Sequence, residues 1–288
     1  MAGAAMAKGF QLRRSGELTY LQAPLLEGCR GVVHAFSTRL GGCSTGAMAS
    51  LNTAFHTGDR YRCVLENRRR FLERWAFSPD DAVAAIQVHG TGIIRAGAVH
   101  RGRGARPDTF LGEGDALLTT VPGLPLTGYA ADCLLLFIAA PDVPAVALAH
   151  AGWRGTLQGI APAVVQELHL LCGADPAAMV AALSPGICAR CYTVGGELAR
   201  EFAAAGWRGE PYQWTDGGGG CHLDLAAINR EQLRRAGIGG GRLAGCDWCT
   251  GCHPRLFYSH RRDKGQTGRM MGLIALRGQS AAEEAGES

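Results

Sequence analysis

Two continuous apolar runs, Leu134–Ala140 and residues 145–149, constrain this chain more than any other feature of it. Neither run alternates polar with apolar residues, so each reads as a strand buried on both faces. Pro141-Asp142 falls between them and reads as a turn. With the hairpin centred on that dipeptide, facing residues add up to a constant index and Cys133 stands directly opposite His150. Directly opposed residues point to one face, with Cα atoms about 4.5–5.5 Å apart.

Other segments supply the layers around such a hairpin. Val32–Ser37, residues 82–88 and residues 116–120 read as strands. Residues 66–75, 156–171, 195–205 and 225–236 read as helices. In the second of these helices, Leu157, Ile160, Val164, Val165, Leu168 and Leu171 recur at helical spacing, and Pro162 falls within the first two turns, where proline is tolerated. Strands and helices mixed in this order indicate an α/β or α+β layered domain. Residues 101–107, 217–220 and 237–241 are glycine-rich loops, and none divides the chain into parts of different composition, so a single domain is expected. Within it, residues 1–29 read as a tail and the first strands, 30–277 as the catalytic domain, and 278–288 as a disordered acidic tail.

Three segments place potential metal ligands at strand ends: Gln87-Val88-His89-Gly90, Ala131-Asp132-Cys133, and His150-Ala151-Gly152-Trp153-Arg154-Gly155. A thiolate and an imidazole facing each other across a hairpin can share one ion, and His89 offers a third donor. One cysteine with two histidines leaves a tetrahedral ion with an open position, the mark of a catalytic rather than a structural zinc. The same donors suit copper. Against copper, the chain lacks the His-X-His pairs of a trinuclear cluster and has 9 histidines in all. With 11 cysteines and no secretion signal, reduced thiols and a cytoplasmic location are expected. No apolar run is long enough to span a membrane. A net charge of +4 makes no case for nucleic acid.

Further sites are weaker. Cys246-X-X-Cys249-X-X-Cys252-His253 has the spacing of a metal knuckle, and Cys188-X-X-Cys191 could join it or form a redox pair, although buried thiols are the plainer expectation for both. The loop from Phe36 to Ser44 carries Arg39 and a glycine pair that can turn backbone N–H groups toward an anion. Arg68, Arg69 and Arg70 read as a solvated helix face. Arg255, Arg261, Arg262 and Arg269, set among glycines, suit an anion pocket better.

Several segments resemble, in order, the YfiH-like proteins, also labelled polyphenol oxidoreductase or laccase-domain proteins. They are Phe36-Ser-Thr-Arg-Leu-Gly-Gly with Ser50-Leu51-Asn52, Gln87-Val-His-Gly, Asp115-Ala-Leu-Leu-Thr, Ala131-Asp-Cys, His150-Ala-Gly-Trp-Arg-Gly, Leu183-Ser-Pro-Gly-Ile and Phe257-Tyr-Ser-His-Arg-Arg. The resemblance implies a four-layer α/β/β/α sandwich with mixed sheets and zinc on His89, Cys133 and His150. It implies phosphorolysis of adenosine, inosine, guanosine and S-methyl-5′-thioadenosine, with purine nucleosides and phosphate as partners, together with adenosine deamination. On that basis Asp132 is a candidate proton shuttle, with Cys133 and Arg154 beside it as catalytic residues. Arg39, Asn52, Arg261 and Arg262 are candidates to hold substrate, and the arginines, Arg154 among them, to hold phosphate. The competing readings are a cysteine hydrolase or deamidase built on Cys133 and His150, and a copper-dependent phenol oxidase.

Overall fold

The computed structural model of the protein describes residues 9–278, so the expected tail segments at 1–8 and 279–288 lie outside the described residues. The chain opens with β1 (Gln11–Ser15), β2 (Leu18–Gln22), a short helix α1 (Pro24–Glu27) and β3 (Val32–Ser37). Helix α2 (Tyr61–Glu73) follows, then β4 (Ile93–Arg95), β5 (Ala116–Thr119), β6 (Leu126–Ala130), and the hairpin β7 (Leu134–Ala140) and β8 (Ala145–Ala151). Next come α3 (Trp153–Gln158), α4 (Ile160–Cys172), β9 (Val180–Leu183), β10 (Thr193–Val194) and α5 (Gly196–Ala204). The last elements are β11 (Gln213–Thr215), β12 (Cys221–Leu223), α6 (Leu225–Arg235), β13 (Leu243–Ala244) and β14 (Met270–Leu276).

The strands form three sheets, ordered β1-β2-β3-β14-β6, β13-β9-β7-β8-β5-β4 and β10-β12-β11, giving a single mixed α/β domain. The strand period divides the central hairpin into two faces. Leu135, Phe137, Val146 and Leu148 join one core with Phe36, Leu126 and Ile274 of the five-stranded sheet. Leu134, Leu136, Ile138, Ala147 and Ala149 join a second with Ile160, Val164 and Leu168 of α4 and Leu233 of α6. A third core sets Val33, Ala35 and Leu273 against Phe71 and Leu72 of α2. Gly272 lets the two large sheets meet: a Cβ there would lie 2.5 Å from Leu135 Cδ1 and 2.9 Å from Phe137 Cζ. His34 is buried in the same inter-sheet layer, where its Nε2 accepts from the Ala23 N–H at 2.8 Å and burial pushes it down to about 3.

The hairpin forms, but in a different register from the one expected. Its turn is residues 141–144, so Ala140 faces Ala145, Leu135 faces His150, and Cys133 falls just outside the ladder. Pro144 has no N–H to give a ladder, which extends the turn by two residues. A two-residue slip returns every side chain to the face it had. Cys133 and His150 therefore still point into the same inter-sheet layer.

Three other expectations are corrected. Residues 156–171 are not one helix: Gly159, at φ +83°, ends α3 and starts α4, and Pro162 falls in the first turn of α4. Residues 82–88 are not a strand, because their backbone is shared among different segments and makes only isolated bridges, Val83 to Leu126 and Ile86 to Glu113. Val83 bonds to Pro125 and Thr127, Ala84 to Arg103 and Leu111, and Ile86 to Gly112 and Gly114. Arg68 is not on a solvated face. It is fully buried, donates from Nε to Thr53 O and from Nη1 to Gly104 O at 2.7 Å each, and lies over the rings of Phe55 and Tyr129. Arg69 and Arg70 do face outward, paired with Glu66. At the N-terminus, Phe10 belongs to the core, its ring 5.4 Å from that of Phe137.

Candidate metal centre

His150 is the last residue but one of β8, Cys133 precedes β7, and His89 stands on a loop at φ +61°. One ligand atom from each lies within 4.8 Å of the others, although the three come from separate stretches of chain. His150 is buried, Cys133 half-buried and His89 exposed, so the cluster opens on the His89 side. Ile86 and Val88 leave apolar surface exposed next to it.

A carboxylate absent from the sequence-based set of site residues fixes this arrangement. Asp115, just before β5, accepts from His150 Nδ1 at 2.8 Å and from the backbone N–H groups of Val88, His89 and Gly90 at 3.2, 3.0 and 2.7 Å. The same side chain thus orients one imidazole and holds the loop that carries the other. Its bond to Nδ1 makes that nitrogen the donor and leaves Nε2 with a free lone pair, as in histidine ligands backed by a carboxylate. Asp115 belongs to a segment that carries the family resemblance. Its role follows only once that segment meets residues 88–90 in space.

Gly152 is the second missed residue. A Cβ there would lie 2.8 Å from His89 Cδ2, 3.1 Å from Cys133 Sγ and 3.8 Å from His150 Cε1. The missing side chain leaves room over all three donors, so these residues fit a bound ion with an accessible position. Gly155 plays a similar part for the backbone, since a Cβ there would stand 2.9 Å from Gly90 O.

The charges agree with that fit. Burial pushes the Cys133 thiol up, but the charge and hydrogen bond of His150 and the hydrogen bond of His89 outweigh it and bring the thiol down to about 6. Burial works against a charged His150, yet Cys133 and Asp115 overcome it and raise the imidazole to about 9. A thiolate and a carboxylate thus stabilise one positive charge between them. A metal ion can supply that charge in place of the proton.

The remaining candidates divide. Asp132 sits beside Cys133 at φ +91°, but both its carboxylate oxygens are occupied. Oδ1 accepts from Thr250 Oγ1 at 2.6 Å and Oδ2 from the Arg261 N–H at 2.7 Å. Asn52 is likewise saturated, donating to Ala54 O, Thr57 and Asp59 and accepting from the N–H groups of Ala54 and Arg269. Arg262 is held by Asp263, Thr250 O and Phe257 O. Arg39 donates to Ala49 O and Pro254 O and lies over the Tyr258 ring. The N–H groups of Gly42, Cys43 and Ser44 are also taken, by Ser50 and Asn67, so the loop expected to cradle an anion is a self-bonded turn.

Arg154 is exposed, stacked at 4.3 Å on Trp153, with no hydrogen bond to protein among the described residues. Arg261 lies over the Tyr192 ring and donates to Thr193 O. Arg269, from the late arginine cluster expected to suit an anion pocket, and Tyr192, which was not among the expected site residues, both feel the centre. Burial lowers Arg269, while Cys133 and Asp132 hold it up. Burial and then the Cys133 charge raise Tyr192 to about 12.

A second cluster forms elsewhere. Cys188 and Cys191 meet Cys249 and Cys252, whereas Cys246 and His253, expected in the same knuckle, stay outside. These are not uniformly buried thiols: Cys249 is buried, Cys188 and Cys191 are half-buried, and Cys252 is exposed.

Fold and site together define a mixed α/β domain with a one-cysteine, two-histidine candidate metal centre beside the inter-sheet core. The chain belongs to the family described as multi-copper polyphenol oxidoreductase laccase, whose model matches residues 33–277. It is 42% identical over 262 residues to a purine nucleoside phosphorylase of Deinococcus radiodurans, covering 90% of this chain and 93% of that one. It is 31% identical over 233 residues to the adenosine deaminase RL5 of an unknown prokaryotic organism, covering 80% of this chain and 88% of that one. The crystal structure of YlmD from Geobacillus stearothermophilus matches with a TM-score of 0.87 at 36% identity, covering 94% of this chain and 100% of that one. Among the described residues, no helix is long and apolar enough to cross a membrane.

Proposed function

We propose that this chain is a zinc-dependent purine nucleoside phosphorylase of the cytoplasm that also deaminates adenosine. The observation that carries the reading is the convergence of His89, Cys133 and His150 beneath Gly152. It occurs in a chain 42% identical to one named purine nucleoside phosphorylase. Those three side chains hold the zinc. When bound, the ion would supply Lewis acidity to a substrate oxygen or nitrogen.

The chain's own residues do the rest. Asp115 keeps His150 in the tautomer that binds metal and prevents the His89 loop from swinging away. Arg154, with no hydrogen bond to protein among the described residues, receives the phosphate that attacks the ribose C1′, and Arg261 and Arg269 add positive charge. Asp132, Asn52 and Arg262 act as positioning residues, since their polar atoms are bonded within the protein. The catalytic domain spans residues 30–277, and the order of the three apolar cores supports a four-layer α/β/β/α stack. The relatives' names favour this reading over a cysteine hydrolase and over a copper phenol oxidase.

The test is to incubate zinc-replete protein with adenosine, with and without phosphate, and to measure adenine, ribose 1-phosphate and inosine. Adenine and ribose 1-phosphate in equal amounts, formed only with phosphate, and inosine formed without it, are the expected products. Absence of turnover in both conditions rules the reading out.

A further inference from the structure

We propose that Cys188, Cys191, Cys249 and Cys252 form a second, structural zinc site that clamps the segment after β9 to the segment before β14. The four sulfur atoms lie within 4.8 Å of one another. Cys191 Sγ is 3.4 Å and Cys188 Sγ 3.9 Å from Cys252 Sγ. A tetrahedron with zinc–sulfur bonds of about 2.3 Å has edges of about 3.8 Å. The observed separations bracket that edge and are far longer than the roughly 2.05 Å of a disulfide. Two Cys-X-X-Cys pairs are the usual source of such a set.

The surroundings are built for it. The Cys188 N–H donates to Cys249 Sγ at 3.2 Å, a bond suited to a thiolate. Between the second pair of cysteines stands Gly251, where a Cβ would lie 3.3 Å from Cys191 Sγ and 3.6 Å from Cys249 Sγ. A side chain there would crowd the space the ion needs. Backbone contacts draw the two pairs together: Gly186 bridges to Cys249, and the Thr250 N–H donates to Gly186 O at 3.0 Å. Four thiolates leave a tetrahedral ion no open position, so this site holds structure and does no chemistry.

The clamp bears on the first centre. Ile187, next to Cys188, donates its N–H to Asp132 O at 2.9 Å, and Thr250, next to Cys249, donates to Asp132 Oδ1 at 2.6 Å. Asp132 keeps its left-handed backbone because these contacts hold it, and it carries Cys133 into place.

Zinc analysis of the whole chain, purified under reducing conditions, tests the proposal. Wild type is expected to hold two zinc ions per chain. Cys188→Ser and Cys252→Ser should each hold one, His89→Ala one, and Cys172→Ser, a half-buried thiol elsewhere, two. Should a cysteine variant fail to fold, cobalt titration of wild type and His89→Ala gives the answer. His89→Ala should still bind one cobalt, with strong thiolate charge-transfer absorption. A wild type with one zinc that His89→Ala loses entirely overturns the proposal, as does a Cys191–Cys252 disulfide found in the reduced protein. One zinc lost from Cys252→Ser but kept by His89→Ala would retain this site while removing the first.

Discussion

The two cysteine-bearing centres of this protein solve the same problem, holding soft donors around a cation, with opposite means. At the inter-sheet centre the donors come from three separate stretches. One of them, His150, stands on a strand with both neighbours in the sheet, and a carboxylate and three backbone N–H groups fix the set from behind. At the peripheral centre all four donors are cysteines outside the long strands and helices, and a single bridge between Gly186 and Cys249 with the bond from the Thr250 N–H to Gly186 O brings the two pairs together. The first is braced from behind by Asp115 and keeps a side open, so an ion held there could act on substrate. The second closes its ion off and uses it as a staple. Strands supporting an open site, and a closed metal clamp joining two segments of chain, thus stand side by side in one domain.

The sharpest break of that comparison removes one thiol from each centre. Cys133→Ala should bring phosphorolysis and deamination below detection while leaving the melting temperature within a few degrees of wild type, because the surrounding sheet does not depend on it. Cys249→Ala should do the reverse, lowering the melting temperature by roughly 5–10 °C while measurable turnover persists, since a structural zinc contributes folding energy directly. Thermal melts and nucleoside assays on the same preparations read both. Equal losses of activity and stability in the two variants would erase the distinction drawn here.

A smaller effect is expected at Asp115→Asn. The amide can still accept from a backbone N–H, but it loses the charge that holds the His150 imidazole. Removing such a backing group typically lowers metal affinity or activity about 10–100-fold, or about 1.4–2.8 kcal/mol. Zinc released to a competing chelator should rise by that factor at the first centre and stay unchanged at the second. If it rises at neither, Asp115 serves the backbone loop alone.

The contrast also explains what could be read from the sequence. The central hairpin was legible because seven consecutive buried residues, Leu134–Ala140, leave few alternatives to an interior strand. Its register was not, because the choice between a two-residue and a four-residue turn rests on Pro144. Cys133 and His150 survived that error since strand parity repeats every two residues. His89 stood out as a candidate ligand, but residues 82–88 just before it were misread as a strand. Their backbone alternates between partners far apart in sequence, and Gln87 replaces a ladder by bonding through its side chain to both backbone groups of Tyr129. Asp115 and Gly152 were quoted within family segments yet given no role, because a carboxylate's partners and a missing Cβ gain meaning only in three dimensions. At the periphery the Cys-X-X-Cys spacings stood out, but three cysteines in Cys246-X-X-Cys249-X-X-Cys252 offered two pairs, and spacing does not choose between them. The arginine clusters failed for a related reason: Arg68 and Arg262 carry the same charge as Arg154, and burial alone tells them apart.

That last difference gives the mildest prediction and the one most specific to substrate. Beside the inter-sheet centre stands a cation with no hydrogen-bond partner among the described residues, Arg154, exposed on Trp153 at the start of α3. Its guanidinium neither braces a loop nor offsets a buried charge, so Arg154→Ala should leave the melting temperature within about 1 °C of wild type and zinc content unchanged. An exposed charge contact contributes about 1 kcal/mol or less, so the KM for phosphate should rise three- to sixfold. Deamination of adenosine, which uses no phosphate, should proceed at the wild-type rate, and Arg154→Lys should recover part of the phosphate affinity as a point charge. Arg262→Ala is the matching control. It strips the donors from Thr250 O and Phe257 O, so it should act through stability and slow both reactions together. If Arg154→Ala slows deamination as much as phosphorolysis, the residue positions the nucleoside rather than the anion. The phosphate would then be held by Arg269, which feels the Cys133 and Asp132 charges.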